Sequence, residues 1–358
     1  KLYDERGCQL VPHVNDLVVA EIAKITDPLS VKALSRAEAG ALIETLGADI
    51  DEKYYAKVMQ ICVTPDVNKD IKIVYSPQHG TGNIPVREVL KRLGYNVIPV
   101  EEQCYPNTEF ENTKNPNPET DAAYELSYEY AKKTDADIII TTDPDCDRVG
   151  IAVRDYDGSY RLITGNEMGV LLLDYIIKAR YRTDTMPDHP GAVKSIVTTE
   201  MAKEVCRRNN VHMEDTFTGF KFMAERIAQW EQEGSYQYIF AYEESYGYMM
   251  GDYVRDKDAV TASVLIAEMA AYYFGRGMTL ADAIQEKYEE YGYFEEKTLN
   301  LVMPGLDGLE RMAKLMDDLR REPFSEIAGT GVEQLRDYLD GSVSVAHLGK
   351  VGTTSIRG

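Results

Sequence analysis

The chain has 358 residues, 44% of them hydrophobic and 28% charged, and a formal net charge of −21. That length suits two or three globular domains, and that charge speaks against a nucleic-acid partner. No apolar run approaches the ~20 residues that span a bilayer, so no membrane contact is expected.

The five cysteines (Cys8, Cys62, Cys104, Cys146, Cys206) are scattered, with no Cys-x-x-Cys pair. This predicts reduced thiols and a cytoplasmic location. An anionic substrate would have to be captured by local cations against an adverse overall field.

In chain order, a helix is expected over Asn15 to Lys24, with Asn15 as N-cap. Ser35-Arg-Ala-Glu38 is a capping-box match that opens a helix toward Leu46, and another helix spans Asp51 to Cys62. Lys72 to Tyr75 reads as a strand, followed by the Gly-rich turn Ser76-Pro-Gln-His-Gly-Thr-Gly-Asn-Ile-Pro-Val86. This is a tight turn before a helix (Val86 to Leu93), or a loop whose backbone N–H groups face an anion. A strand over Asn96 to Val100, a polar loop over 101–118 and a helix from Glu119 to Lys133 lead to the central segment.

That segment is Ala136-Asp-Ile-Ile-Ile-Thr-Thr-Asp-Pro-Asp-Cys-Asp-Arg-Val-Gly-Ile-Ala-Val153. Ile138, Ile139 and Ile140 suit a buried strand, and Val149, Ile151 and Val153 a second, alternating one. Pro144 forces the chain out of the ladder between them. Asp143, Asp145 and Asp147 crowd three carboxylates into five residues, a repulsion that a hard divalent cation offsets. Arg148 is a natural partner for a phosphate or a carboxylate beside such a metal. A calcium EF-hand loop would need Gly at its sixth position and Glu at its twelfth, where Arg148 and Arg154 stand. A magnesium site at the carboxyl end of a strand fits, since open α/β sheets place ligands there.

Asp155-Tyr-Asp-Gly158 reads as a hairpin turn, and Thr164-Gly-Asn-Glu167 as a second capping box opening an apolar helix through Ile177. A linker over 181–191 precedes a strand (Val193 to Val197), a helix (Met201 to Arg208) and a strand (His212 to Thr216). This repeats the strand–helix–strand unit of 72–100 and predicts two similar α/β domains in tandem, joined near 165. Thr218-Gly-Phe-Lys221 opens a helix through Trp230. Lys221 in its first turn opposes the macrodipole, so function explains it better than stability. The strand Gln237 to Tyr242 ends in Glu243-Glu-Ser-Tyr-Gly247, carboxylates and a hydroxyl suited to sugar hydroxyls. Arg255-Asp-Lys-Asp-Ala259 is a charged turn with Asp258 as N-cap of an apolar helix to Tyr273. Thr279-Leu-Ala-Asp282 opens another helix. A strand (Thr298 to Val302), a helix (Leu306 to Arg320) and a mixed remainder (Ile327 to Leu339) follow.

Thr141-Thr-Asp-Pro-Asp-Cys-Asp-Arg148 resembles the metal-binding loop of the α-D-phosphohexomutases, the phosphoglucomutase/phosphomannomutase superfamily. His79-Gly-Thr-Gly-Asn83, Thr218-Gly-Phe-Lys221, Glu243-Glu-Ser-Tyr-Gly247 and Arg255-Asp-Lys-Asp-Ala259 resemble further family segments, the last with Asp256 and Ala259 in place of Glu and Gly. The resemblance implies tandem three-layer α/β domains with mixed sheets. Residues 35–164 would form the family's second domain and 165–297 its third. Residues 1–34 would be the tail of a first domain and 298–358 the start of a fourth. It also implies Mg2+ held by Asp143, Asp145 and Asp147. Arg148 and Lys221 would supply positive charge, with Lys257 a candidate for phosphate contact or proton transfer. Glu243 and Ser245 would bind sugar hydroxyls, with Thr218, Gly219 and Arg255 also beside the substrate.

The implied activity is that of a phosphoglucomutase-type phosphotransferase. Hexose 1-phosphate and hexose 6-phosphate (glucose or mannose phosphates) would interconvert through phosphoserine and a hexose 1,6-bisphosphate. The Glu-Glu-Ser form is closer to the glucose-type mutases; phosphomannomutase and phosphopentomutase activities are the alternatives. The family's phosphoserine loop and its Arg-Pro-Ser-Gly-Thr loop do not occur in these residues, so the 358 residues alone are expected to show no turnover. A haloacid-dehalogenase-type phosphatase fits poorly, because Asp147 and Arg148 replace its pattern and the loop lies mid-chain. A non-catalytic sugar-phosphate-binding protein is the remaining alternative.

Overall fold

The structure, a computed structural model, describes residues 2–296, 301–305, 307–346 and 349–353. It divides into the units Lys1–Phe294 and Glu295–Gly358. Among the described residues no helix is long and apolar enough to cross a membrane.

In the first unit, α1 (Pro12–Ile22), α2 (Arg36–Ala39) and α3 (Ala48–Met59) precede the first sheet. β1 (Lys72–Ser76), α4 (Asn83–Arg92) and β2 (Asn96–Pro99) form a parallel strand–helix–strand unit, and α5 (Glu125–Thr134) feeds β3 (Ile138–Thr142). β4 (Val149–Arg154) and β5 (Tyr160–Ile163) return antiparallel, giving the order β2-β1-β3-β4-β5. All five residues of β3 are buried, as expected for a β-branched strand flanked on both sides and covered on both faces.

α6 (Gly165–Arg182) leads to the second sheet: β6 (Pro190–Ser195), α7 (Met201–Arg208), β7 (His212–Thr216), α8 (Phe220–Glu233), β8 (Gln237–Glu243) and β9 (Gly247–Met249). Its order is β7-β6-β8-β9, with β6 parallel to both neighbours and β9 antiparallel to β8. The two sheets therefore repeat one topology, and the fold is a tandem of three-layer α/β domains with mixed sheets, as the sequence predicts. α9 (Ala259–Phe274) and α10 (Leu280–Tyr291) complete the unit.

One continuous apolar core runs from Tyr55 to Tyr291 and takes in residues of both sheets. α9 lies inside it, packed on α3, α4 and α6 and on β3, β4 and β9. At its middle, Glu268 is fully buried. Its Oε1 accepts hydrogen bonds from Val63 N (3.0 Å), Thr64 N (2.9 Å) and the Tyr175 hydroxyl (2.7 Å). One carboxylate thus ties α9 to α6 and to the segment after α3.

The second unit holds α11 (Gly308–Arg321), the short pair β10 (Glu326–Ile327) and β11 (Thr330–Gly331), and an antiparallel sheet of β12 (Gln334–Asp337), β13 (Ser342–Val345) and β14 (Gly349–Thr353).

Several sequence expectations are corrected at element ends. The first helix starts at Pro12, not at an Asn15 cap, because proline's fixed φ and missing N–H suit the first turn. The Ser35 capping box forms, but its helix stops at Ala39: no α2 residue is buried, so nothing sustains it beyond the cap. The third helix begins at Ala48 and ends at Met59, with Asp49 and Asp51 in its first turn. The helix placed at Val86 begins at Asn83, with Pro85 tolerated in the first turn. The helix placed at Glu119 begins only at Glu125, since the Asn117 side chain accepts from Glu119 N (3.0 Å) and holds a turn there. α6 runs on to Arg182 because Ala179 stays buried. β6 lies over 190–195 rather than 193–197, ending where Thr198 N turns back to the Ser195 carbonyl (3.1 Å). Thr298, Leu299, Asn300 and Leu306 lie outside the described residues, and Leu301 and Val302 form no strand.

Replacing Glu268 with Leu leaves two half-buried N–H groups and a buried hydroxyl without an acceptor. It is expected to cost about 2–4 kcal/mol, read as a lower urea midpoint at unchanged m-value. A loss below roughly 0.5 kcal/mol would show that the carboxylate does not carry this junction.

Candidate active site

The connection from β3 to β4 holds the acidic cluster. Asp143, Asp145 and Asp147 each offer a carboxylate oxygen within 4.8 Å of the others. Asp143 is nearly fully buried, its Oδ1 accepting from Asp147 N (3.1 Å) and Arg148 N (3.0 Å). Its Oδ2 accepts from Arg148 Nε (2.9 Å). Burial pushes the Asp143 carboxyl up to about 6, against the lowering effect of the Arg148 backbone bond. Cys146 turns the loop at φ 59°.

Three neighbours fix this loop by its backbone. Thr81 N, in the Gly-rich turn after β1, donates to the Pro144 carbonyl (2.8 Å), and Ala259 N, at the start of α9, to the Cys146 carbonyl (3.1 Å). Val149 N donates to the Tyr246 carbonyl (3.1 Å), beside an antiparallel bridge between Arg148 and Gly247. The turn joining β8 to β9, which carries Glu243, Ser245 and Tyr246, is thereby clasped edge to edge with the acidic loop. The α9 end is itself held by Asp258, whose carboxylate accepts from Val260 N (2.9 Å), the Thr261 hydroxyl (2.8 Å) and the Tyr54 hydroxyl (2.9 Å).

Two cations face the three carboxylates. Arg148 reaches from Asp143 to Glu119, its Nη1 2.9 Å from Glu119 Oε1. Lys257 Nζ lies 3.1 Å from Asp147 Oδ2 and 3.3 Å from Asp256 Oδ1, above the Phe220 ring. Three clustered oxygens, one of them on a buried carboxyl with a raised pKa, form a donor set that fits a hard divalent cation.

Of the other sequence-predicted residues, Gly219 and Glu243 meet directly. Gly219 holds φ 114°, a conformation that favours glycine, and its N–H donates to Glu243 Oε1 at 2.5 Å. Burial pushes the Glu243 carboxyl up, and the Gly219 bond opposes this. Ser245 is partly exposed in the same turn, and Thr218 is exposed before Gly219. Lys221 Nζ lies 5.0 Å from the Phe222 ring centroid and lines a groove between α8 and residues 4–14. Arg255 is not drawn to the acidic loop: its Nη2 pairs with Glu231 near the end of α8 at 2.6 Å.

The sequence pattern did not single out Glu119 or the Tyr54–Asp258 contact. Glu119 lies in a polar stretch with no signal of its own, and Tyr54 meets Asp258 across 204 positions of chain. Asp258 as an N-cap was legible from its place before an apolar run.

Residues 52–158 match the family model described as "Phosphoglucomutase/phosphomannomutase, alpha/beta/alpha domain II", and residues 164–291 the one described as domain III of the same family. The chain belongs to the phosphoglucomutase/phosphomannomutase family, within the α-D-phosphohexomutase superfamily. It is 35% identical over 344 residues to a phosphoglucomutase of Staphylococcus aureus strain MRSA252, covering 96% of this chain and 61% of that protein. With the phosphoglucomutase of strain N315 the identity is 34% over 358 residues, covering 100% of this chain and 63% of that protein. The chain thus spans about three fifths of the length of the curated relatives it matches.

Two solved structures share the fold. One is a phosphoglucomutase/phosphomannomutase family protein of Burkholderia thailandensis (TM-score 0.55, 16% identity, 86% of this chain and 58% of that one). The other is parafusin, a phosphoglucomutase of Paramecium, in its open form (TM-score 0.54, 17% identity, 82% of this chain and 51% of that one).

Lys257 Nζ occupies space beside Asp147 and opposes a divalent cation there. Lys257→Met is expected to tighten Mn2+ binding about 3–10-fold, whereas Asp145→Asn weakens it. Titration by calorimetry reads both, and unchanged or weaker binding in Lys257→Met would refute the competition.

Proposed function

We propose that the intact protein is a phosphoglucomutase that interconverts glucose 1-phosphate and glucose 6-phosphate through a phosphoserine and glucose 1,6-bisphosphate. In this reading residues 35–164 and 165–297 are the family's second and third domains, and residues 1–34 and 298–358 belong to its first and fourth. The observation that supports the reading is the clasp between the Asp143–Arg148 loop and the Glu243–Gly247 turn, which brings three clustered carboxylates beside a turn bearing Glu243 and Ser245.

Asp143, Asp145 and Asp147 would hold Mg2+, which when bound neutralises charge on a transferring phosphoryl group. Arg148 offers its guanidinium to a phosphate beside them by exchanging Glu119, an exposed partner of modest strength, for a dianion. Lys257, held between Asp147 and Asp256, adds a second positive charge. Gly219 N fixes one oxygen of Glu243 and so orients the other toward a sugar hydroxyl, with Ser245 next to it. Lys221 and Thr218 contribute from the opening of α8. The Glu-Glu-Ser form of the turn and the phosphoglucomutase relatives support glucose over mannose.

In the intact protein, with Mg2+ and a bisphosphate primer, glucose 1-phosphate should turn over faster than mannose 1-phosphate. Asp145→Asn should lower kcat by about 10²–10³-fold, and chelation should abolish activity until Mg2+ is restored. Equal or greater mannose turnover would overturn the sugar preference, and no turnover on either sugar would overturn the reading.

A further inference from the structure

Adjacent carboxylates in the β8–β9 turn point to different partners. Glu243 receives Gly219 N. The Glu244 carboxylate instead enters the loop after β6: its Oε2 lies 3.0 Å from Ser195 Oγ and 3.0 Å from Thr198 Oγ1. Those two hydroxyls are 2.6 Å apart, and Glu244 N donates to Thr198 Oγ1 at 3.2 Å. Two hydroxyl protons must serve three oxygen–oxygen approaches. One closed circuit uses each donor once: Glu244 N–H to Thr198 Oγ1, Thr198 O–H to Ser195 Oγ, and Ser195 O–H to the Glu244 carboxylate. A ring of this kind polarises each of its bonds, and Ser195 and Thr198 are both buried.

The loop that presents the hydroxyls is shaped by a fully buried lysine. Lys194 Nζ donates to the Thr198 carbonyl (2.9 Å) and the Ser195 carbonyl (3.3 Å), and pairs with Glu200 (3.1 Å) and Asp215 (3.2 Å). On the other side Gly165 closes the turn in, since a Cβ there would overlap the Glu244 carbonyl.

We propose that Glu244 is a positioning residue that never touches the sugar, and that the Glu244–Thr198–Ser195 ring sets the angle at which Glu243 and Ser245 meet it. The proposal rests on the mutase reading above. It also divides the labour within the Glu-Glu pair: the first carboxylate serves the substrate, the second the scaffold.

The test compares four variants of the intact protein, Glu244→Ala, Glu244→Gln, the double variant Ser195→Ala/Thr198→Val and their triple combination, by KM and kcat on glucose 1-phosphate. Glu244→Ala should raise KM about tenfold with a smaller fall in kcat, as expected for the loss of a charge-assisted bond that orients a binding group. Glu244→Gln keeps an oxygen acceptor for Ser195 and should stay within about threefold of the parent KM. The double variant should reproduce Glu244→Ala, and the triple should be no worse. Equal damage in Glu244→Gln and Glu244→Ala, with a near-normal double variant, would place Glu244 on the substrate and overturn the proposal. If the parent turns over neither sugar phosphate, the mutase reading fails. The ring is then judged by thermal midpoints, where non-additive losses in the same cycle support it and additive losses overturn it.

Discussion

The site depends on crowding three carboxylates at the end of one buried strand and keeping them there. Asp143, Asp145 and Asp147 repel one another, so the loop that carries them would open if only its own turn held it. It is instead gripped by its backbone from three directions, at Pro144, Cys146 and Val149, by Thr81, Ala259 and Tyr246. These anchors come from the Gly-rich turn after β1, the amino end of α9 and the β8–β9 turn. Backbone donors and acceptors are well suited to gripping a charged loop, being neutral, fixed by secondary structure, and indifferent to whether a cation is bound. The charged side chains are left to respond to ligands.

The same logic extends into the core. α9 starts against the acidic loop and passes through the apolar interior shared by both sheets. Its N-cap Asp258 receives Tyr54 from α3, and its mid-point Glu268 receives the backbone that follows α3 together with Tyr175 of α6. The Asp258 carboxylate and the Oε1 oxygen of Glu268 accept from protein donors, which lowers the cost of burying them. A helix so fixed at its start and middle transmits the rigidity of the core to the loop at its tip.

Much of this was legible in the sequence because the decisive signals are local. The apolar triplet Ile138–Ile140, the three alternating aspartates and the capping boxes at Ser35 and Thr164 each fix a short piece of structure, and the repeated strand–helix–strand pattern discloses the tandem fold. The missed or shifted features are those set by contacts distant in sequence. Nothing near Tyr54 announces Asp258, and nothing near Glu119 announces Arg148. Arg255 reads locally as part of a charged turn beside Lys257, yet it is claimed by Glu231 from the neighbouring helix. Glu243 and Glu244 look alike in the sequence, and only the loop after β6 tells them apart. Element ends moved wherever a proline, an Asx turn or a lack of burial outweighed propensity, as at Pro12, Asn117 and α2.

The repeated strand order has a consequence for how many ions the fold can carry. The β3–β4 and β8–β9 connections occupy the same place in their sheets, each joining the third strand of a parallel set to an antiparallel partner. Two equivalent positions, each with adjacent acidic residues, could in principle have made a symmetric two-ion centre. In the second repeat, though, the two glutamates turn apart: Gly219 N lies on Glu243, and the Ser195 and Thr198 hydroxyls lie around Glu244. Among the described residues only Asp143, Asp145 and Asp147 form a group able to hold a metal. The duplicated scaffold has thus diverged in chemistry, with the three-carboxylate cluster carried by one copy and a pair of separately engaged glutamates by the other.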